Sequence, residues 1–343
     1  MDQRAAELLT SGMNMLHRTT KLNPDRAAPS RLRRLFLAGS AITLVLGCPA
    51  NAEDLPTGGS VALGDASISQ TGSKMVVNQS TNKAVINWKT FDIASGASVN
   101  YVVPDSASVT LNRVTSDDAS KIFGSLTSNG QIFLLNPHGI VFGVGSRVNA
   151  AGIVASTLSL SDEDFQAGRY EFKNNGIKSS VVNQGEIVVN GYAALLAPTV
   201  RNEGIIFSQM GSVALAGGQQ ITLDVTGNNL VSVQVNPALV DQLIENRGLI
   251  AARDGRVIMT LSSERRLMDG AVASNLQQAQ AIVDAGDGVT SRIVAGGKIE
   301  SRSIAIAGGV TGRVEATGTI SSQNLSGDGG QIAITGGDVV VGS

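Results

Sequence analysis

The sequence predicts an all-β chain wound into a right-handed parallel β-helix, a solenoid with an N-terminal cap, small extra-helical hairpins and one helical excursion. Three observations carry that expectation. Of 343 residues, 42% are hydrophobic but only 3% aromatic, and 40 are Gly. Such a chain is short of large core fillers and rich in tight-turn residues, which suits repetitive β-structure better than a large α/β core. From Ser60 onward it is also a succession of short β-type runs broken by Asn, Gly and Asp, among them 74–78, 84–88, 98–103 and 108–112. These runs alternate or stay apolar over about four to six residues, as strands do.

The third observation is an internal repeat. The pattern Asn-x-Gly-x-Ile stands at Asn183-Gln184-Gly185-Glu186-Ile187, at Asn202-Glu203-Gly204-Ile205-Ile206 and at Asn246-Arg247-Gly248-Leu249-Ile250. Each copy is followed by a second strand introduced by Gly191, Gly211 or Gly255, and a weaker copy reads Gly318-Thr319-Ile320 and then Gly330-Gln331-Ile332. Asn and Gly tolerate the left-handed backbone expected at a sharp corner, and the Val, Ile and Leu between corners point alternately inward. The first two copies begin 19 residues apart, close to the roughly 20 residues at the short end of solenoid repeats. At a strand spacing of about 4.8 Å, the chain after its leader has length for on the order of a dozen coils and a rod of about 60 Å.

Two segments depart from the period. Residues 207–245 separate the second and third copies, which leaves either an extra coil or an extruded hairpin around Gly217-Gly218 and Gly227-Asn228-Asn229. Residues 263–284, with Leu267, Met268, Leu276, Ile282 and Val283 among polar neighbours, read as a helix on the flank of the rod.

Residues 1–52 read as an extended leader ending in a secretory signal. A basic cluster (Arg31, Arg33, Arg34) precedes an apolar run from Leu35 to Gly47 and the small-residue site Ala50-Asn51-Ala52. That run is too short for a permanent membrane span, so cleavage after Ala52 is expected. Cys48 is the single cysteine and lies inside the signal, leaving the mature chain without disulfides; a lipoprotein acylated at Cys48, or an autotransporter-type surface passenger, is the rival reading. Of 26 basic and 28 acidic residues, seven and three precede residue 35, and none lies in 35–52. The remainder holds 19 and 25, a net of -6. A mildly acidic body has no electrostatic footprint for nucleic acid.

Residues 60–165 resemble the amino-terminal secretion domain of filamentous haemagglutinin-type exoproteins, the passengers of bacterial two-partner secretion. The resemblance rests on 84–93, with Asn87, Trp88 and Phe91, on Leu111-Asn112-Arg113-Val114-Thr115, and on Ile122-Phe123-Gly124-Ser125-Leu126. Above all it rests on 130–143, Gly-Gln-Ile-Phe-Leu-Leu-Asn-Pro-His-Gly-Ile-Val-Phe-Gly. Within it, Asn136-Pro137-His138-Gly139-Ile140 matches the family's Asn-Pro-Asn-Gly-Ile, with His138 at the third position. The resemblance implies a substrate of a dedicated outer-membrane transporter whose periplasmic domains bind residues 53–165 in extended form, by strand addition. It also implies residues 166–343 as a repeat rod continuous with that domain, and a protein secreted through the periplasm to the surface of a Gram-negative bacterium. There it would act as an adhesin on a host-cell or surface receptor.

The residues themselves argue for structure more than chemistry. Asn136-Pro137-His138-Gly139 has the composition of a tight turn, with Pro fixing φ at the second position and Gly at the fourth. His138 and His17 are the only histidines, and one imidazole without clustered Cys, Asp or Glu does not make a metal site. No cofactor is expected. Asp117-Asp118 and Asp162-Glu163-Asp164 are the candidate carboxylates for a β-helical polysaccharide enzyme. Sequence neighbours on a strand point to opposite faces, however, and 162–164 read more simply as a helix start before Phe165. Trp88, in the apolar run from Ala84, is a core residue in one reading and a sugar platform in the other.

Overall fold

The computed structural model describes residues 55–227, 229–236, 242–261, 291–309, 312–322 and 330–342, all within one compact unit, Ala50–Ser343. Ala50, Ala52, Cys48 and the rest of the leader lie outside the described residues, as does the helix expected over 263–284.

The short β-runs stack in parallel on three faces of a right-handed β-helix. The first face holds Lys74–Gln79, Ser98–Val102, Ser125–Ser128, Arg147–Ala150, Glu186–Val189 and Ile205–Ser208. It continues through the first parts of Leu249–Thr260 and Lys298–Ala307 to Thr319–Ser322. The second holds Lys83–Trp88, Val109–Val114, Gln131–Leu135, Gly152–Ser156, Ala193–Leu196 and Val213–Ala216. It continues through the second parts of the same two long strands to Gln331–Thr335. The third runs from Ser120–Ile122 through Ile140–Phe142, Ser180–Asn183, Thr199–Asn202, Leu243–Asn246, Arg292–Ala295 and Arg313–Ala316 to Asp338–Val341.

The described rod thus has nine rungs on its first two faces, about 38 Å at the usual strand spacing, where a dozen were expected. Residues 157–179 and, among the described residues, 217–227 and 229–236 leave the rod between the second and third faces and add no rung. The second settles the choice left open by the sequence: Gln220–Thr226 and Asn229–Asn236 form an antiparallel hairpin. Tyr170–Lys173 pairs with its first strand, making a separate three-stranded sheet. The helix the structure shows is Asp162–Gln166, where Ser161 Oγ caps the N-terminus by accepting from Asp164 N–H.

The first face alternates in burial as a half-solvated sheet does, whereas the second is buried on both sides. Its inward residues (Ile132, Leu134, Ile153, Leu195, Leu215) line the interior of the rod. Its outward residues (Val85, Leu111, Phe133, Leu135, Val154, Ala194) form a second core beneath the excursions. Strands covered on both faces read as unbroken apolar runs, and Ile-Phe-Leu-Leu at 132–135 and Ala-Ala-Leu-Leu at 193–196 are such runs.

The repeat has a physical reading that differs in part from the expected one. Asn183, Asn202 and Asn246 point into the rod and form a buried ladder: Asn183 Nδ2 donates to Asn202 Oδ1, and Asn202 Nδ2 to Asn246 Oδ1, each at 2.8 Å. Gly185, Gly204, Gly248, Gly297 and Gly318 stack beside them, none at positive φ. A Cβ on Gly204 would drive into the carbonyl oxygen of Gly185 one rung away, and Gly248 stands likewise on Gly204. These corners need glycine because backbones approach closely, not because the chain turns left-handed.

At the N-terminal end, Ser60–Leu63 and Ala66–Thr71 pair antiparallel to the first strands of the second and first faces. Leu55 is buried beneath them. This cap protects the first edge of the parallel stack from pairing with other chains.

Candidate functional site

The residues singled out in the N-terminal rungs fall into two places. The first is the turn between the second and third faces. Gly139 N–H donates to Asn136 O at 3.1 Å and closes a four-residue turn, with Gly139 at φ +120°. The Asn136 side chain is wholly buried: Oδ1 accepts from His138 N–H at 2.9 Å, while Nδ2 donates to Asp118 O at 2.9 Å and to Ser120 Oγ at 3.0 Å. Ser179 Oγ donates to Pro137 O at 2.6 Å. Ile140 follows in the core, paired with Ser120 on one side and Val181 on the other. The turn therefore joins three successive passes of the chain through its backbone and one amide. His138 is half-buried beside it. Its Nδ1 lies 3.1 Å from Ser116 O, so this nitrogen carries the proton, and Nε2 lies 3.6 Å from the exposed Asp117 carboxylate.

The second place is the base of the rod. Trp88 is buried edge-to-face against Phe91, their centroids 5.6 Å apart. Asn112 Oδ1 accepts from Trp88 Nε1–H at 2.9 Å and from Tyr101 Oη–H at 2.6 Å, and Nδ2 donates to Thr110 O and Phe133 O at 3.3 Å. The amide is saturated, as a buried polar group must be to avoid a desolvation penalty. Burial pushes the Tyr101 phenol well above its ordinary range. Asn87 and Arg113 lie on the outer side of the same strands. Arg113 donates to Asn87 Oδ1 at 3.3 Å, to Leu160 O at 2.8 Å and to the Asp162 carboxylate at 2.7 Å.

The candidate carboxylates stand in structural bonds. Asp162 is held by Arg113, and Asp164 by Ser161 Oγ and Arg169, which keep its carboxyl below the usual range. Asp117 faces His138. Among the described residues, no three His, Cys, Asp or Glu side chains group as a metal ion would need.

Lys83, which no sequence pattern marks, reaches across the second face. Its Nζ donates to Phe165 O at 2.9 Å and Gln166 O at 3.0 Å and lies over the Phe165 and Tyr170 rings. Desolvation lowers its pKa from the ordinary lysine value. The unbroken apolar runs at 132–135 and 193–196 are the sequence signals that something covers this face.

Among the described residues the polar groups singled out serve the rungs themselves, and the class is that of a capped, right-handed parallel β-helix. The chain belongs to the TPS secretion domain family, the two-partner secretion domain, which matches residues 52–301. That match runs past position 165, as do the stacked faces. The chain is 34% identical over 226 residues to the heme/hemopexin-binding protein of Haemophilus influenzae strain Rd, covering 63% of this chain and 24% of that protein. It is 34% identical over 137 residues to a second Haemophilus influenzae heme/hemopexin-binding protein, covering 40% of this chain and 15% of that one. The chain thus spans at most about a quarter of the curated relatives it matches. Among solved structures, the HMW1 secretion domain from Haemophilus influenzae superposes with a TM-score of 0.65 at 29% identity, over 83% of this chain and 71% of that one. None of these three is named as an enzyme. Proteins with this domain are secreted exoproteins of Gram-negative bacteria, and the domain implies a cognate outer-membrane transporter.

Proposed function

We propose that this chain is recognised in the periplasm by the periplasmic domains of its cognate outer-membrane transporter, after a leader is removed at Ala50-Asn51-Ala52. Residues 53–165 are the part first engaged, and the rod that follows is displayed at the cell surface as an adhesin. The observation that carries the export reading is the family match over 52–301. Support for display comes from the first face of the rod. There the outward side chains of three successive rungs, Val188, Ile205, Phe207 and Leu249, make a partly exposed apolar strip, with the Arg253 guanidinium 5.4 Å over the Phe207 ring. Charged Arg147 and Glu186 bound it at one end and Lys298 and Glu300 at the other. An apolar centre with a charged rim is the usual make-up of a protein-binding surface.

The test is secretion from a host expressing the chain with and without its cognate outer-membrane transporter. Appearance in the medium only when the transporter is present, with a mature N-terminus at residue 53, is the expected result. Transporter-independent release, or a lipid on Cys48, overturns it. Adhesion is tested with the secreted chain on host cells, where Phe207→Asp is expected to reduce binding.

A further inference from the structure

The order of side chains along the first face makes it complementary to itself. From rung to rung its first outward column reads Arg147, Glu186, Ile205, Leu249, Lys298 and Thr319. An acid thus stands on one side of the apolar pair and a base on the other, each one rung away. The second column sets Val188, Phe207, Ala251 and Glu300 beside the middle four. Ile205 is 41% exposed, and Val188, Phe207 and Leu249 are half-buried. The inward neighbours on the same strands, Ile187, Ile206 and Ile250, carry the core of the rod. The outward residues can therefore change without unpacking the rungs.

Two sheets pack face to face about 10 Å apart, with their strands within about 30° of each other. A two-fold axis along the strand direction, midway between the rungs of Ile205 and Leu249, puts each column opposite itself and reverses the order of the rungs. Ile205 then meets Leu249 of the second copy, Glu186 meets Lys298, and in the second column Phe207 meets the small Ala251. Each contact occurs twice, as an isologous interface requires. In these two columns no like charges are opposed. Arg147 faces Thr319, and Glu300, which its own Lys298 holds at 2.6 Å, faces Val188. The other face-to-face axis, along the rod, would set Glu186 against Val188 of its own rung.

We infer that the partner this strip fits is a second copy of the chain, bound with the two rods antiparallel and Glu186 of each opposite Lys298 of the other. The inference rests on the reading of the strip as a protein-binding surface. The six rungs from Arg147 to Thr319 span about 24 Å at the usual strand spacing. A patch two columns wide over that length buries less than the roughly 1,200 Å² at the lower end of stable interfaces. A single pair is therefore weak, and arrays of rods hold together by multivalency.

Charge exchange tests the pairing. Glu186→Lys and Lys298→Glu are made separately in the secreted chain, circular dichroism checks the fold, and self-association is followed by sedimentation over a concentration series. Each variant alone brings two like-charge contacts and is expected to associate about tenfold more weakly than wild type. In a mixed pair the introduced lysine faces the introduced glutamate while Glu186 faces Lys298, so an equimolar mixture is expected to regain wild-type association. Association of the wild type with no gain on mixing overturns this pairing. A wild-type chain that stays monomeric at the highest concentration overturns self-recognition altogether; weakened host-cell binding by Phe207→Asp would then leave the strip as a surface for another protein. Phe207→Asp without effect on either self-association or host-cell binding sinks the reading of the strip itself, and the inference with it.

Discussion

Asn202 Nδ2 donates to Asn246 Oδ1 at 2.8 Å, across 44 residues of sequence and one rung of the rod. The same amide oxygen of Asn202 accepts from Asn183, so each member of the ladder depends on the next. Asn202→Leu leaves a buried donor on Asn183 and a buried acceptor on Asn246 without their partners, each costing about 1–3 kcal/mol. Urea unfolding is expected to show a loss of about 2–4 kcal/mol. A loss below about 0.5 kcal/mol, the scale of ordinary surface changes, would mean that the ladder contributes no net stability.

Gly204 separates two explanations of a corner glycine. Were left-handed backbone the reason, Asn would serve nearly as well as Gly, because its short side chain tolerates that region. The structure places the Gly185 carbonyl where any Cβ would be. Gly204→Asn and Gly204→Ala are therefore both expected to destabilise by about 1–3 kcal/mol, the usual range for overpacking. Thermal melts of the two variants decide it, and a near-neutral Gly204→Asn would restore the left-handed account.

The ladder explains how much of the fold could be read in advance. The repeat was visible at 183, 202 and 246 because Asn and Gly occur together. It faded at 295 and 316, where Ala occupies the ladder position while Gly297 and Gly318 keep the corner. In the rungs of 74–156, Gly124 and Gly130 keep the corner glycines but no Asn precedes Gly124 by two residues, so these rungs read only as strand-like runs. The described residues hold nine rungs where a dozen were expected, in part because 157–179 and the hairpin Gln220–Thr226 and Asn229–Asn236 have β and turn composition like the rod but are spent on its flank. Their destination depends on contacts made over 47 to 96 residues, which no local pattern encodes. The turn at 136–139 was legible from composition alone. The bonds that bury Asn136 were not, because Asp118, Ser120 and Ser156 reach it from other passes of the chain.

Asn136 and Gly139 are expected to matter in different ways. Asn136→Ala removes both bonds to the pass at 118–120 and the bond to His138 N–H, whereas Gly139→Val puts a branched side chain at φ +120°. Each is expected to leave synthesis unchanged, lower the amount secreted and increase protease sensitivity around 116–122. Normal secretion of both variants, measured by quantitative blotting of the medium, would remove the turn from the export machinery.

The tyrosines supply a pH test of the two cores together. The chain has three, and burial raises the phenol of each, Tyr101 and Tyr192 strongly and Tyr170 less so. Tyr101 lies in the base of the rod and the other two in the outward core. Raised folded values mean that the unfolded chain loses its phenolic protons first, near an ordinary pH of about 10. The stability they confer is complete below that pH and declines as pH rises through the folded values. Near-ultraviolet absorbance should therefore show little tyrosinate while the β-sheet circular dichroism persists, and the phenolates should appear together as that signal collapses. If Tyr170 alone ionises near pH 10 with the sheet signal intact, the excursion over 157–179 opens independently of the rod. If Tyr101 does so, the Asn112 network is not closed as described.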